Sequence, residues 1–206
     1  MKVLLINGSP HEKGCTYTAL SLIAGELNKA GIDTEILHVG GKPVGGCIGC
    51  GGCRSGNGCV FGGVVNEAIE KAKTADAFVF GSPVHYASAA GNMASFMDRL
   101  AYAGGKYLAY KPAAVCCSAR RAGTTSTLDQ LVKYPQFFHM PLVNGSYWAM
   151  VHGSNPEQVL QDAEGCAVMQ ELGRNMAWLL RCIEAGKAAG IDHPQNPPRP
   201  MTSFIR

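Results

Sequence analysis

Short apolar runs alternate along this chain with stretches in which apolar residues recur every three to four positions, the pattern of βαβ units around a parallel sheet. The first run, at 3–6, is Val-Leu-Leu-Ile without a polar break, as expected for a strand covered on both faces. It ends in Asn7-Gly8-Ser9-Pro10, and a helix is predicted from about Thr16, with Leu20, Ile23, Ala24 and Leu27 on one face and Gly31 as its stop. A second strand is expected at 34–39, then a glycine- and cysteine-rich loop over 40–63, then a helix marked by Val65, Ala68, Ile69 and Ala72. A third strand at 77–80 runs into Gly81-Ser82-Pro83-Val84-His85-Tyr86, followed by helical spacing at Met93, Phe96, Met97 and Leu100. A fourth strand at 113–117 ends in Ser118-Ala119-Arg120-Arg121-Ala122-Gly123-Thr124-Thr125. A helix over 126–132 and a strand at 142–144 complete five βα repeats. The last helix aligns Met169, Leu172, Met176, Leu179 and Ile183, a stripe that reads as core or subunit interface, with Gly186 as its C-cap.

At 206 residues the chain reads as one domain over 1–190, with a polar tail over 191–206 that holds four of the eleven prolines and is expected to be extended. Phe204 and Ile205 would anchor that tail on a neighbouring subunit or fray. A charged fraction of 16% against 47% hydrophobic residues marks a globular chain. The net charge of +3, with no basic stripe, argues against a nucleic-acid partner, although it suits a bound phosphate. No apolar run is long enough to span a bilayer, and Met1-Lys2 leads straight into a strand rather than a signal region. A cytoplasmic setting follows, in which the nine cysteines are ligands, catalysts or core fillers rather than disulfide partners. The sequon Asn144-Gly145-Ser146 is then read as a turn.

Neither GxGxxG nor GK[ST] follows the first strand. Instead Ser9, Thr16 and Thr18 supply hydroxyls, Gly8 and Gly14 let the backbone turn its amides inward, and the helix adds its positive end. Together these suit a terminal phosphate monoester, while the same stretch also reads as an ordinary βα turn with an N-cap threonine. Ligands of open α/β sheets sit beyond the carboxyl ends of the strands, where the strand order reverses. Pro83, Val84, His85 and Tyr86 offer a flat wall for an aromatic ring at that edge, and Arg120, Arg121 and the backbone around Gly123 and Thr124 offer donors.

The combination resembles the NADPH-dependent FMN reductase family of flavodoxin-like proteins over residues 1–187. The likeness rests on Gly8-Ser9-Pro10 with Gly14 and Thr16, on Ser82-Pro83-Val84-x-Tyr86 leading to Met97-Asp98-Arg99, and on the run from Ser118 to Thr125. It implies a doubly wound α/β fold, a five-stranded parallel sheet in the order 2-1-3-4-5 with helices on both faces. By the same likeness Ser9, His11, Cys15, Thr16, Tyr17 and Thr18 hold the FMN phosphate. Pro83, Val84, His85 and Tyr86, with Ala119, Arg120, Arg121, Gly123 and Thr124, hold the isoalloxazine. His11 and Cys15 depart from relatives, which often carry a basic residue and an asparagine there. The likeness also implies a homodimer or homotetramer, for which Ala101-Tyr102-Ala103 and Tyr147-Trp148-Ala149-Met150 are apolar candidates that equally fit packing within one subunit.

Cys47, Cys50, Cys53 and Cys59 follow C-x2-C-x2-C-x5-C, four thiols within thirteen residues separated mostly by glycine. Glycine lets a backbone wrap a small inorganic body and point amides at its sulfurs, and cubane clusters take four such thiolates. Tetrahedral zinc, a redox disulfide, or a loop of free thiols remain alternatives. The spacing resembles the iron–sulfur flavoproteins, a branch related to the FMN reductases, whose equivalent loop binds a 4Fe–4S cluster close to the FMN of a neighbouring subunit. Cys116, Cys117, Cys166 and Cys182 read as core or interface fillers.

The implied activity is an FMN-dependent NAD(P)H oxidoreductase. Reduced nicotinamide would pass hydride to the flavin, with onward transfer to a quinone, a flavin, or another small-molecule or redox-protein acceptor. The chemistry lies at the flavin, so no side chain is required as acid or base. The alternative is an iron–sulfur electron carrier with a 4Fe–4S cluster on the 47–59 loop, and a third reading is a zinc- or redox-sensing module.

Overall fold

The computed structural model describes residues 1–198 and 200–203. Five parallel strands form the sheet: β1 (Lys2–Asn7), β2 (Asp33–His38), β3 (Ala77–His85), β5 (Ala113–Ala119) and β6 (Met150–His152), in the order β2-β1-β3-β5-β6. This is the expected order. A sixth, short strand, β4 (Ser88–Ala89), pairs antiparallel with β3 and was not anticipated.

Apolar residues point alternately to the two faces, because successive strand residues do. Val3 and Leu5 pack with α1 (Cys15–Lys29) and α6 (Ala163–Ala188). Leu4 and Ile6 pack with α2 (Val64–Thr74) and α3 (Gly91–Gly104), while Leu131 of α4 (Thr124–Phe137) closes that second core. An unbroken apolar strand therefore serves both layers at once, the physical basis of the doubly wound arrangement.

Several features differ from expectation, among them β3, which runs to His85, and α4, which spans Thr124–Phe137. The strand expected at 142–144 is only a bridge from Leu142 to Ala113. There the Val143 amide donates to Ala113 O (2.8 Å), after which the chain leaves the sheet and returns as β6, paired with Cys117, Ser118 and Ala119. The edge of the sheet is thus made from two short pieces on either side of 144–149. Gly186 lies inside α6 rather than capping it, and Ala189 ends the helix through backbone bonds to Ala185 and Gly186. The buried stripe of α6 follows Met169, Leu172 and Met176 but drifts to Leu180, because the helical period is not a whole number of residues. A further helix, α5 (Pro156–Gln161), starts at Asn155, whose Oδ1 accepts the Gln158 amide (2.9 Å), with proline at the first position.

The tail over 191–198 has no regular structure, and its His193 ring stacks on Tyr110 with centroids 4.4 Å apart. Phe204 and Ile205 lie outside the described residues. Among the described residues no helix is long and apolar enough to cross a membrane.

Candidate functional site

The register of the strands brings three loops to one edge: Asn7, the last residue of β1, lies beside Gly81 of β3, and Pro83 of β3 lies beside Ser118 near the end of β5. The loop after β1 is braced from within. The fully buried Asn7 side chain donates to Glu12 O (2.9 Å) and accepts the Ser9 amide (3.1 Å), folding 8–12 back on itself. His38 of β2 donates from Nε2 to Ser9 O at 2.7 Å, since a carbonyl only accepts. Gly40 packs on the same carbonyl so closely that a Cβ there would stand 2.1 Å from it.

Within this loop the expected phosphate residues divide. Ser9 is buried, and its Oγ accepts the His11 amide (3.1 Å), leaving its own hydrogen to donate. Gly14, the N-cap of α1, provides no side-chain cap, so the amides of the first turn stay open at the positive end of the helix. His11 is exposed and Tyr17 half-buried. Thr18 donates its hydroxyl to Gly14 O (3.2 Å), and Thr16 is buried with its Oγ1 2.8 Å from Ser118 Oγ. Both threonines thus brace the cradle, Thr16 by tying α1 to the end of β5. Cys15 directs its Sγ at Gly153 O (3.5 Å), and burial pushes its thiol up, so it stays neutral at the start of α1. An open helix start under a buried serine fits a phosphate monoester.

The second wall is not the plain loop that its sequence suggests. β3 continues through His85, and Tyr86 and Ala87 turn the chain back into β4 with φ of 50° and 58°. Two consecutive positive φ values make a primed two-residue hairpin, normally built from Asn and Gly. Tyr86 stands fully exposed at its tip, beside an exposed His85 and half-buried Pro83 and Val84. Gln130 of α4 holds the returning strand, accepting from Ser88 Oγ (2.6 Å) and the Ala89 amide (2.9 Å).

The third loop follows β5. Ala119 is buried, Thr124 is the first residue of α4 and buried, and Gly123 precedes it with φ +92°. Ser126 donates to Ala87 O (2.7 Å), joining this loop to the hairpin. Arg120 and Arg121 are both exposed, and among the described residues the Arg121 carbonyl is engaged by His152 Nε2 (3.1 Å) while neither guanidinium has a partner.

Cys47, Cys50, Cys53 and Cys59 all line a separate cavity of about 320 Å³, closed on the far side by Arg99, Tyr102 and Ala103 of α3. A single tight turn at Gly52–Ser55 shapes the loop, and Asn66 pins its end by accepting the Cys59 amide (2.8 Å) and donating to Cys59 O (3.0 Å). Among the described residues no three His, Cys, Asp or Glu side chains gather closely enough to hold one metal ion. Tetrahedral zinc needs that convergence, with every sulfur about 2.3 Å from one point. A cubane takes one thiolate at each iron, so the ring of cysteines around a cavity fits a cluster better than a single ion.

His38 and Gln130 escape a reading of the sequence, and Asn7, Ser118 and Arg99 appear there only inside quoted runs, without the roles that the structure gives them. Arg99 carried a further signal, a charged residue beside Phe96, Met97 and Leu100 on the apolar face of α3.

Comparison with known proteins places this geometry in context. The profile of the family described as NADPH-dependent FMN reductase matches residues 1–155. An iron–sulfur flavoprotein of Methanocaldococcus jannaschii is 28% identical over 192 residues, covering 89% of this chain and 100% of that protein. A RosB structure with a bound 8-demethyl-8-formylriboflavin-5'-phosphate intermediate superposes with a TM-score of 0.69 at 15% identity, covering 100% of this chain and 94% of the other. A flavodoxin from the domain Archaea gives a TM-score of 0.60 at 14% identity, covering 88% and 99%. The fold is flavodoxin-like.

Proposed function

Because this chain belongs to the NADPH-dependent FMN reductase family and is a flavin-dependent oxidoreductase, we propose that it passes electrons from reduced nicotinamide through FMN to a quinone, a flavin or another acceptor. The observation that carries the reading is the meeting of three braced loops at one sheet edge: the open start of α1 under Ser9, the Tyr86 hairpin, and the Gly123 turn. FMN, when bound, supplies hydride acceptance and single-electron release. The protein supplies the rest. Ser9 and the first-turn amides take the phosphate, and the α1 dipole favours its charge. Pro83, Val84 and Tyr86 present apolar and aromatic surface to one side of the ring, while the backbone of 119–124 presents amides to its polar edge. The free guanidinium groups of Arg120 and Arg121 favour negative charge on the reduced ring. Exposed His85 and Tyr86 shape the face where nicotinamide stacks.

A second reading, favoured by the four cysteines around one cavity, is an iron–sulfur flavoprotein with a 4Fe–4S cluster held by Cys47, Cys50, Cys53 and Cys59, as the name of the Methanocaldococcus relative suggests. Such a cluster supplies one-electron storage; the chain's part is to hold four thiolates around one cavity. A homodimer or homotetramer is part of the proposal, supported by the exposed Tyr102, Tyr147 and Trp148. Light scattering tests it, and a monomer across the micromolar range would remove it.

Anaerobic purification with FMN, iron and acid-labile sulfide assayed on one sample, followed by NADPH and NADH turnover with quinones, tests both readings. FMN with nicotinamide turnover supports the first. Iron and sulfide lost in Cys50→Ala support the second. Protein that holds no flavin even after incubation with FMN rejects the function proposed here.

A further inference from the structure

We propose that Arg99 is the fixed counter-cation of the cysteine cavity, a buried guanidinium that offsets the net negative charge of four thiolates around an iron–sulfur core and raises the reduction potential of that core. This rests on the cluster reading of the 47–59 loop.

Arg99 is 7% exposed, although arginine is almost never buried without a partner. Its Nε donates to Cys59 Sγ at 3.3 Å, its Nη2 to Gly62 O at 3.0 Å and its Nη1 to Gly45 O at 3.4 Å. Those carbonyls flank the cysteine loop on both sides, so one side chain ties the start of the loop to its end. Its guanidinium carbon lies 5.6 Å from the Phe61 ring centre. Every partner is a dipole, a ring or a thiol. Among the described residues no carboxylate pairs with it, and the neighbouring Asp98 is committed to Tyr134 Oη at 2.6 Å.

A buried positive charge without a counter-anion is unfavourable, and the cavity it faces is lined by four groups that are anionic only as thiolates. Four thiolates around a metal–sulfide core give a net anion, which supplies the missing charge. Each electron entering that core adds one negative charge beside the guanidinium while no bond to Arg99 forms or breaks. A fixed cation and an N–H donated to a ligand sulfur both favour the reduced form.

The test uses the reconstituted holoprotein and two variants. Arg99→Gln keeps hydrogen-bond donors but loses the charge, and Arg99→Lys keeps the charge but loses the planar fork. Redox titration with dithionite and mediator dyes reads the cluster midpoint, and iron, sulfide and FMN content are measured on the same samples. The expected result is a fall in the Arg99→Gln reduction equilibrium of about tenfold, about 59 mV for one electron, with Arg99→Lys close to the wild type. Should Arg99→Gln hold no cluster while Arg99→Lys is loaded, the charge requirement is met by that difference instead. An iron-loaded Arg99→Gln protein with an unmoved midpoint overturns this proposal alone. A wild-type protein that takes up flavin but no iron overturns the cluster reading, and this proposal with it.

Discussion

Gly123 lies against Ala87 so closely that a Cβ on Gly123 would stand 2.7 Å from the Ala87 Cα and 2.9 Å from Val84 Cγ1. The turn after β5 and the hairpin after β3 therefore share one contact, and the gap between them is set by the missing side chain. Gly123→Ala must both adopt the left-handed φ and push the hairpin away. The left-handed conformation alone costs about 1–2 kcal/mol. We expect at least about tenfold weaker FMN binding, roughly 1.4 kcal/mol, by fluorescence titration of apoprotein. Unchanged affinity would mean that these two loops do not hold the ring.

Tyr86 and Ala87 separate stability from function. Both carry positive φ without being glycine, and such strain gathers at functional sites. Ala87→Gly should relieve about 1 kcal/mol and raise the Tm by roughly 2–4 °C, with flavin affinity intact. Tyr86→Gly should relieve similar strain, since the exposed ring packs on nothing, but weaken flavin binding or slow nicotinamide turnover. If Tyr86→Gly only stabilises, the ring has no role in the site.

Thiol chemistry should sort the nine cysteines. A neutral alkylating agent at neutral pH should modify the exposed Cys47, Cys50 and Cys182 in protein free of metal, and spare Cys116 and Cys117 until unfolding. Burial pushes the Cys117 thiol up to about 12 and raises Cys116 as well. An acid whose pKa rises on folding holds its proton more tightly in the native state, so this stabilisation is complete below the unfolded thiol value of about 8.5 and is lost as pH rises above it. Urea midpoints at neutral and alkaline pH read that loss. Labelling of Cys47 and Cys50 before and after iron and sulfide reconstitution, read by mass spectrometry, should show protection of those two and no change at Cys182.

Glu35 on β2 bridges Lys2 of β1 and Lys71 of α2, each at 2.6 Å, and hydrogen bonds from Lys2 and then Lys71 hold its carboxyl below the usual range. A depressed carboxylate stabilises the fold above its unfolded value of about 4.3, and that contribution fades as pH falls through the folded value. Because the three side chains are partly exposed, Glu35→Gln should lose no more than about 1 kcal/mol at neutral pH, and the difference should vanish in acid. Thermal melts of both proteins across that range check the crossing.

How far the chain could be read depends on the distance over which each feature is decided. Val3, Leu4, Leu5 and Ile6 announce a strand buried on both faces because burial leaves its period in the local order of residues, and the four βα repeats up to α4 follow from the same signal. The cysteine spacing is local too, and the four thiols do share one cavity. The fifth strand misled because the apolar pattern at 142–144 marks real pairing with Ala113, yet only β5 decides where pairing resumes, at Met150. The threonines after β1 look alike in sequence; Ser118, 102 residues from Thr16, decides that Thr16 ties α1 to β5 while Thr18 stays bonded within its own turn.

The alternation of the first four parallel strands and their helices, and the four cysteines as one loop, were therefore determined by the sequence alone, since periodicity and spacing are properties of neighbours along the chain. The tertiary structure alone decided that Tyr86 tips a hairpin, that Gly123 sets the gap beside it and that Arg99 closes the cysteine cavity. Each of those depends on a hydrogen bond or a close approach between residues far apart in the chain, and such contacts leave no period in the sequence to read.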